Sequence, residues 1–173
     1  QVAAGVNVAR DLSGVQLGIA NVGLGRSGGV QVGVVNVSPD ADFALGPINI
    51  VWNGRLHVDA WFDSARFLSV ALKHGGRHFH YFYGVGVRPR LDGALVAAVF
   101  GLGAHVPLPH RLYIDFDLIN HSILDGDHLR DKTFDNVAHV RAVLGWSPVP
   151  RFAIFAGPAI GFQATNRADA VAV

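Results

Sequence analysis

The sequence predicts an all-β protein: a small, antiparallel, outer-membrane-like β-barrel of about eight strands, preceded by a short solenoid-like β-repeat. Three observations lead there. The 13 acids are all Asp, and of the 14 Lys plus Arg only Lys73 and Lys132 are lysine. Glu and Lys favour helices, so their scarcity beside abundant Val and 21 Gly argues for strands. The first fifty residues repeat with a period near 15. From Arg55 onward, apolar and polar residues alternate with period two.

Composition also excludes several classes. With 50% hydrophobic and 16% charged residues, the chain can bury a core and is not disordered. Without Cys it has no disulfide framework, no Cys-based zinc site and no thiol chemistry. A net charge of +1 provides no basic tract for nucleic acid. No run of 18 apolar residues marks a transmembrane helix. The chain opens at Gln1, without Met or a charged segment before an apolar one, as expected of a processed mature chain or a fragment. The expected organisation is a β-repeat over 1–50, a barrel over 51–165 and a tail over 166–173.

The repeat copies are Val6-Asn7-Val8, Gly14 to Val22, Gly29 to Val37 and a degenerate Leu45 to Ile50. Their asparagines, Asn7, Asn21, Asn36 and Asn49, are 14, 15 and 13 residues apart. Turn-rich stretches such as Gly25-Arg26-Ser27-Gly28 and Ser38-Pro39-Asp40 separate them. This period is too short for two-helix repeats. It suits a strand of seven to nine residues plus a turn, or one small coil of a solenoid. The recurrent Gly fits close backbone approach. The four Asn either form a side-chain ladder between stacked copies or begin the turn after each strand.

Strands then follow at 55–62, 66–73, 77–88, 94–105, 111–119, 137–146 and 151–162, with 45–52 available as an eighth for closure. Turn residues join them, including His74-Gly75-Gly76, the stretch Pro89 to Gly93, Pro107-Leu108-Pro109 and Ser147 to Pro150. Residues 120–134 read as one long polar loop. Strands of 8–12 residues suit a tilted bilayer crossing. One face is large and apolar: Leu56, Val58, Tyr81, Tyr83, Leu112, Ile114, Phe116, Leu118, Trp146, Phe152 and Ile154. The other carries Arg55, His57, Asp59, His78, His80, Arg88, Arg111, Asp115, Asp117, His139, Arg141 and Arg151, together with His105. A soluble sandwich turns its apolar face inward. A membrane barrel turns it toward lipid and fills the lumen with the polar face. Gly84, Gly86, Gly101, Gly103, Gly145, Gly157 and Gly161 share the polar face, which a crowded lumen explains and a solvent-exposed face does not. The expectation is therefore an interior network of charges and an outer face meeting lipid or a partner.

The segments Gly14 to Val22 and Gly29 to Val37, followed by Val51-Trp52-Asn53-Gly54-Arg55-Leu56-His57-Val58-Asp59-Ala60-Trp61, resemble the bacterial "surface repeat-containing" envelope proteins. The resemblance covers roughly residues 5–61 by motif and the rest by pattern. It implies a bacterial outer-membrane or cell-surface location and carries no catalytic residues. One departure is the C-terminal Ala170-Val171-Ala172-Val173, where outer-membrane barrels commonly end on an aromatic residue.

Chemistry has few footholds. His57 with Asp59, and His78 with His80, are i, i+2 pairs on one strand face and the candidates for a metal; a mutually neutralising lumen network is the competing and expected reading. Asp115, Asp117, His121, Ser122 and Asp125 could form a hydrolase set, but adjacent His121 and Ser122 point to opposite faces of a strand. Asp125-Gly126-Asp127 lacks the rest of a calcium loop, and the Gly-x-Gly pairs lie within strands rather than at a strand-to-helix turn. The expected protein is a non-enzymatic structural or adhesive envelope barrel without cofactor, whose partners are a lipid bilayer or neighbouring subunits, with homo-oligomerisation open. The alternatives are a subunit of a homo-oligomeric surface assembly or fibre, a soluble sandwich binding module, and a lipid-modifying barrel hydrolase.

Overall fold

The computed structural model describes residues 1–52, 54–91, 93–124 and 135–165. Asn53 of the envelope-protein motif, Asp92, the Asp125-Gly126-Asp127 stretch and the expected 166–173 tail lie outside the described residues, as does the side chain of Arg55. The structure is all-β, with solenoid-like stacking and a curled sheet. Among the described residues no helix is long and apolar enough to cross a membrane.

Two compact units divide the chain. The first holds Gln1–His57 and Lys73–Tyr81; the second holds Val58–Leu72 and the chain from Phe82 onward. The boundary expected at residue 50 therefore moves to 57, and a short return segment joins the first unit.

In the first unit, seven short strands run β1 (Val6–Ala9), β2 (Val15–Leu17), β3 (Ala20–Gly23), β4 (Arg26–Val32), β5 (Val35–Ser38), β6 (Asp40–Leu45) and β7 (Ile48–Val51). Odd strands form one parallel sheet, β1-β3-β5-β7, and even strands another, β2-β4-β6. The register pairs Asn7 with Asn21, Asn21 with Asn36 and Asn36 with Asn49. On the other sheet Gln16 pairs with Gln31, and Gln31 with Ala44. Each repeat copy is thus two strands forming one coil of a solenoid, rather than a single strand of seven to nine residues. A corner at Gly18-Ile19 separates β2 from β3, so Gln16 and Asn21 both point inward. Gly makes the corner possible: a Cβ on Gly18 would sit 2.6 Å from Asn7 Nδ2 and 3.0 Å from the Gly5 carbonyl. One coil later, Gly33 faces the Gly18 carbonyl and Asn21 Nδ2 in the same way.

The remaining strands are β8 (Arg55–Phe62), β9 (Leu68–Gly75), β10 (Phe79–Arg90), β11 (Gly93–Pro107), β12 (Leu112–Leu124), β13 (Asp135–Val149), β14 (Phe152–Ala156) and β15 (Ala159–Thr165). Their sheet order is β14-β13-β12-β11-β10-β9-β8, with β15 also on β13. The β11–β12 and β12–β13 ladders are antiparallel and unbroken. The seven strands expected from Arg55 onward are all present, the last broken at Gly157-Pro158 into β14 and β15. Both halves pair with β13, at Leu144–Val149 and Asp135–Arg141 respectively.

Among the described residues the sheet is a curled half-barrel whose order runs from β14 to β8, short of the expected closed eight-stranded barrel. Residues 45–52, offered as the closing strand, are used by the solenoid, where Ile48–Val51 pairs in parallel with β5. A second correction concerns the polar loop: β12 continues through Leu124, so residues 120–124 are strand. Two apolar clusters fill the concave side of the second unit. One comprises Ala65, Phe67, Leu95, Ala97, Ile123 and Val137; the next comprises Trp61, Ala71, Phe82, Val99 and Ile119, with Phe155 packed against it.

Candidate functional site

Period-two alternation puts polar and small residues on the concave face of the sheet and large apolar residues on the convex face. Arg88, His105, Asp115, Asp117, His121, His139 and Arg141 are buried. On the convex face Leu56, Val58, Phe116, Leu118, Trp146, Phe152 and Ile154 are exposed, while Tyr81, Tyr83, Leu112 and Ile114 are half-buried. The solenoid repeats this inversion. Its interior holds Asn7, Gln16, Asn21, Gln31, Asn36, Ser38 and Asn49, while Val6, Val8, Ile19, Leu24, Val34, Ile48 and Ile50 are exposed.

The solenoid interior is wired by two ladders. Asn7 Nδ2 donates to Asn21 Oδ1 (2.9 Å), Asn21 Nδ2 to Asn36 Oδ1 (2.8 Å) and Asn36 Nδ2 to Asn49 Oδ1 (2.7 Å). The same amides also reach carbonyls of the opposite sheet, at Leu17, Val32 and Leu45. These asparagines lie within strands and stack, rather than opening turns. Gln31 Nε2 donates to Gln16 Oε1 (2.9 Å), but the next coil offers Ala44, and Gln31 Oε1 is buried without a partner among the described residues.

Three polar groupings occupy the concave side of the second unit. Arg141 Nε donates to Asp117 Oδ2 at 2.8 Å, and its guanidinium carbon lies 4.7, 5.4 and 5.5 Å from the ring centroids of Trp61, Phe82 and Phe155. Rings and carboxylate together hold a buried cation. His105 Nδ1 meets Asp115 Oδ1 at 2.6 Å, with the Tyr113 ring 5.1 Å away. A Cβ on Gly145 would overlap that Tyr113 ring, so the glycine provides the space the ring fills.

The third grouping lies where the β8–β9 turn meets the end of β12 and the start of β13. Asp63 is a turn residue: its Oδ1 accepts from the Phe67 amide at 3.1 Å, and its carbonyl accepts from the Arg66 amide at 3.0 Å. Its Oδ2 points at His121 Nε2 (3.6 Å) and His139 Nδ1 (4.0 Å). Ser69 Oγ lies 2.9 Å from the same His121 Nε2. The His121 ring stacks on Phe67, centroids 4.6 Å apart, and meets His139 edge-on at 5.2 Å.

Ser69, His121 and Asp63 carry the residue types of a nucleophilic triad without its geometry. A relay needs Ser on one imidazole nitrogen and the acid on the other. Here both approach Nε2, so the acid does not sit on the nitrogen opposite the serine. Of the residues offered for an alternative hydrolase set, His121 and Ser122 lie on opposite faces of β12. Ser122 points away from His121 and bonds Asn136 Oδ1 (2.7 Å) and Asn120 Nδ2 (3.0 Å), while Asp125 lies outside the described residues.

Several residues assigned to an interior network lie elsewhere. His57 is exposed near the start of β8, and Asp59 is half-buried. Arg111 belongs to the 3-10 turn Pro109–Arg111 rather than to β12; it is exposed, with φ of 63°, and donates Nη1 to the Pro148 carbonyl. Arg151 is exposed in the turn between β13 and β14. His78 is half-buried in the first unit, its ring 5.9 Å from that of Phe43, and His80 is buried. Among the described residues, no three of the metal candidates His57, Asp59, His78 and His80 form a cluster of possible ligand atoms. Asp63 and Ser69 were missed by sequence reasoning. An Asp directly after a strand carries a turn signal, but nothing in one sequence reveals that the turn folds back onto two distant histidines.

No family model, curated protein or solved structure matches the chain.

Proposed function

We propose that this chain is a non-enzymatic structural or adhesive component of a bacterial envelope, with its apolar outer surfaces covered by lipid. The observation carrying this reading is the inverted burial of both units. Charged and amide side chains are interior, while Val, Leu, Ile, Phe and Trp are exposed over both the solenoid and the convex sheet face. In water such a surface is an aggregation liability; in a bilayer it is the expected one. The surface-repeat motifs point to the same compartment.

The half-barrel adds a requirement. An open sheet edge within hydrocarbon leaves backbone donors and acceptors unpaired at several kcal/mol each. Insertion therefore demands that the edges at β8 and at β14/β15 be sealed, by each other in a closed barrel or by a second copy. A homo-oligomeric surface assembly is the second reading, favoured by strands β14 and β15, which have no buried residue on either face.

Purification provides the test. The full chain should stay dispersed in detergent micelles or phosphatidylcholine vesicles and aggregate when detergent is removed without lipid. A monodisperse monomer in detergent-free buffer would overturn both readings. A discrete oligomer in detergent-free buffer would favour the second over the first.

A further inference from the structure

We propose that Asp63, His121 and His139 form a binding site for a divalent transition-metal ion of the zinc class. Neither the envelope reading nor its repeat motifs supply this site; it follows from the geometry of the second unit alone.

One ligand atom from each residue lies within 4.8 Å of the other two. The shared centre is Asp63 Oδ2, 3.6 Å from His121 Nε2 and 4.0 Å from His139 Nδ1. A tetrahedral ion bound to N and O at about 2.0–2.2 Å holds its ligand atoms about 3.4 Å apart. The Asp–His separations thus need to contract by only a few tenths of an ångström. Two imidazoles and one carboxylate with an open fourth position are a donor set used for Zn(II) and its first-row neighbours.

Burial supports the assignment independently. The side chains of Asp63, His121 and His139 are 7%, 0% and 3% exposed. Among the described residues Asp63 Oδ2 has no hydrogen-bond partner, although its sister oxygen is satisfied by the Phe67 amide. A buried carboxylate oxygen aimed at two imidazole nitrogens, yet bonded to neither, is poorly served without a cation. The three ligands come from the β8–β9 turn, β12 and β13. One ion would therefore tie together chain segments far apart in sequence.

Ser69 refines the test. Its Oγ shares His121 Nε2 at 2.9 Å, so an ion at that nitrogen competes with the serine hydrogen bond. Ser69→Ala should bind the ion at least as tightly as the parent.

The experiment uses the full chain refolded in detergent micelles, stripped with chelator and titrated with Zn(II), then with Co(II) for its visible absorption. One equivalent should be retained through desalting, and Co(II) should give the absorption of a low-coordinate N/O site. Asp63→Asn, nearly isosteric, and His139→Ala should each weaken binding by at least about tenfold. The double variant His57→Ala/His78→Ala should leave it unchanged. Far-UV circular dichroism of Asp63→Asn separates loss of a ligand from loss of fold. Three results would overturn the assignment: no retained metal, unchanged affinity in a folded Asp63→Asn, or loss of binding in Ser69→Ala.

Discussion

Leu118→Arg separates a lipid-facing surface from a water-facing one. Leu118 is the seventh of the 13 residues of β12 and 46% exposed, on the convex face beside Phe116 at 53%. At about 3.4 Å per residue the strand extends roughly 41 Å, and a tilt near 40° projects it onto about 31 Å of the bilayer normal. The apolar band of such barrels is about 25 Å tall, so Leu118 would sit near its midplane while Leu112 and Leu124 lie just outside its rims. Arginine at the midplane costs about 2–4 kcal/mol, falling to about 0–1 near the interfaces. On a surface facing water the same change stays within about 0.5 kcal/mol. The assay is equilibrium urea unfolding from phosphatidylcholine vesicles, followed by tryptophan fluorescence, for Arg at Leu112, Leu118 and Leu124. A profile peaking at Leu118 is expected. A flat profile below about 0.5 kcal/mol would refute the reasoning.

Other consequences are as direct. Asn36→Ala removes donors to Leu45 O and Asn49 Oδ1 and the acceptor of Asn21 Nδ2, so it should destabilise the solenoid by about 2–4 kcal/mol; Asn7→Ala, joined to one rung, should lose about half as much in thermal unfolding. Arg141→Met strips the guanidinium from buried Asp117 and from three aromatic rings and should cost about 3–5 kcal/mol. The double variant Arg141→Met/Asp117→Leu should recover most of that loss in a double-mutant cycle. Gly145→Ala drives a Cβ into the Tyr113 ring and should cost about 1–3 kcal/mol by urea denaturation, with less lost when Tyr113→Ala is combined with it.

Much of the second unit was legible because a strand's side chains alternate strictly. Once Phe116 and Leu118 share a face, Asp115 and Asp117 must share the other, whatever covers either. Glycine made the choice between faces readable: Gly145 and Gly101 sit where a Cβ would meet Tyr113, Phe82 or Ile119, which happens only on a crowded concave side. Alternation does not carry through a corner. Gly18-Ile19 breaks the period, so Gln16 and Asn21 face the same interior. It also overreached at strand ends, where His57, Arg111 and Arg151 share the parity of interior residues but lie beyond the buried stretch.

The candidate metal site was the least legible part. His121 read as the start of a loop, His139 as one member of a network, and Asp63 not at all, because its role depends on a turn returning across the sheet. The sequence alone determined local and periodic properties: strand class, repeat length, and which side chains share a face, all of which follow from backbone geometry over a few residues. Tertiary structure decided how far the sheet curls, where Ile48–Val51 pairs, and which buried groups meet. Those outcomes depend on long-range pairing, in which each strand edge has several candidate partners and only the packed whole selects one.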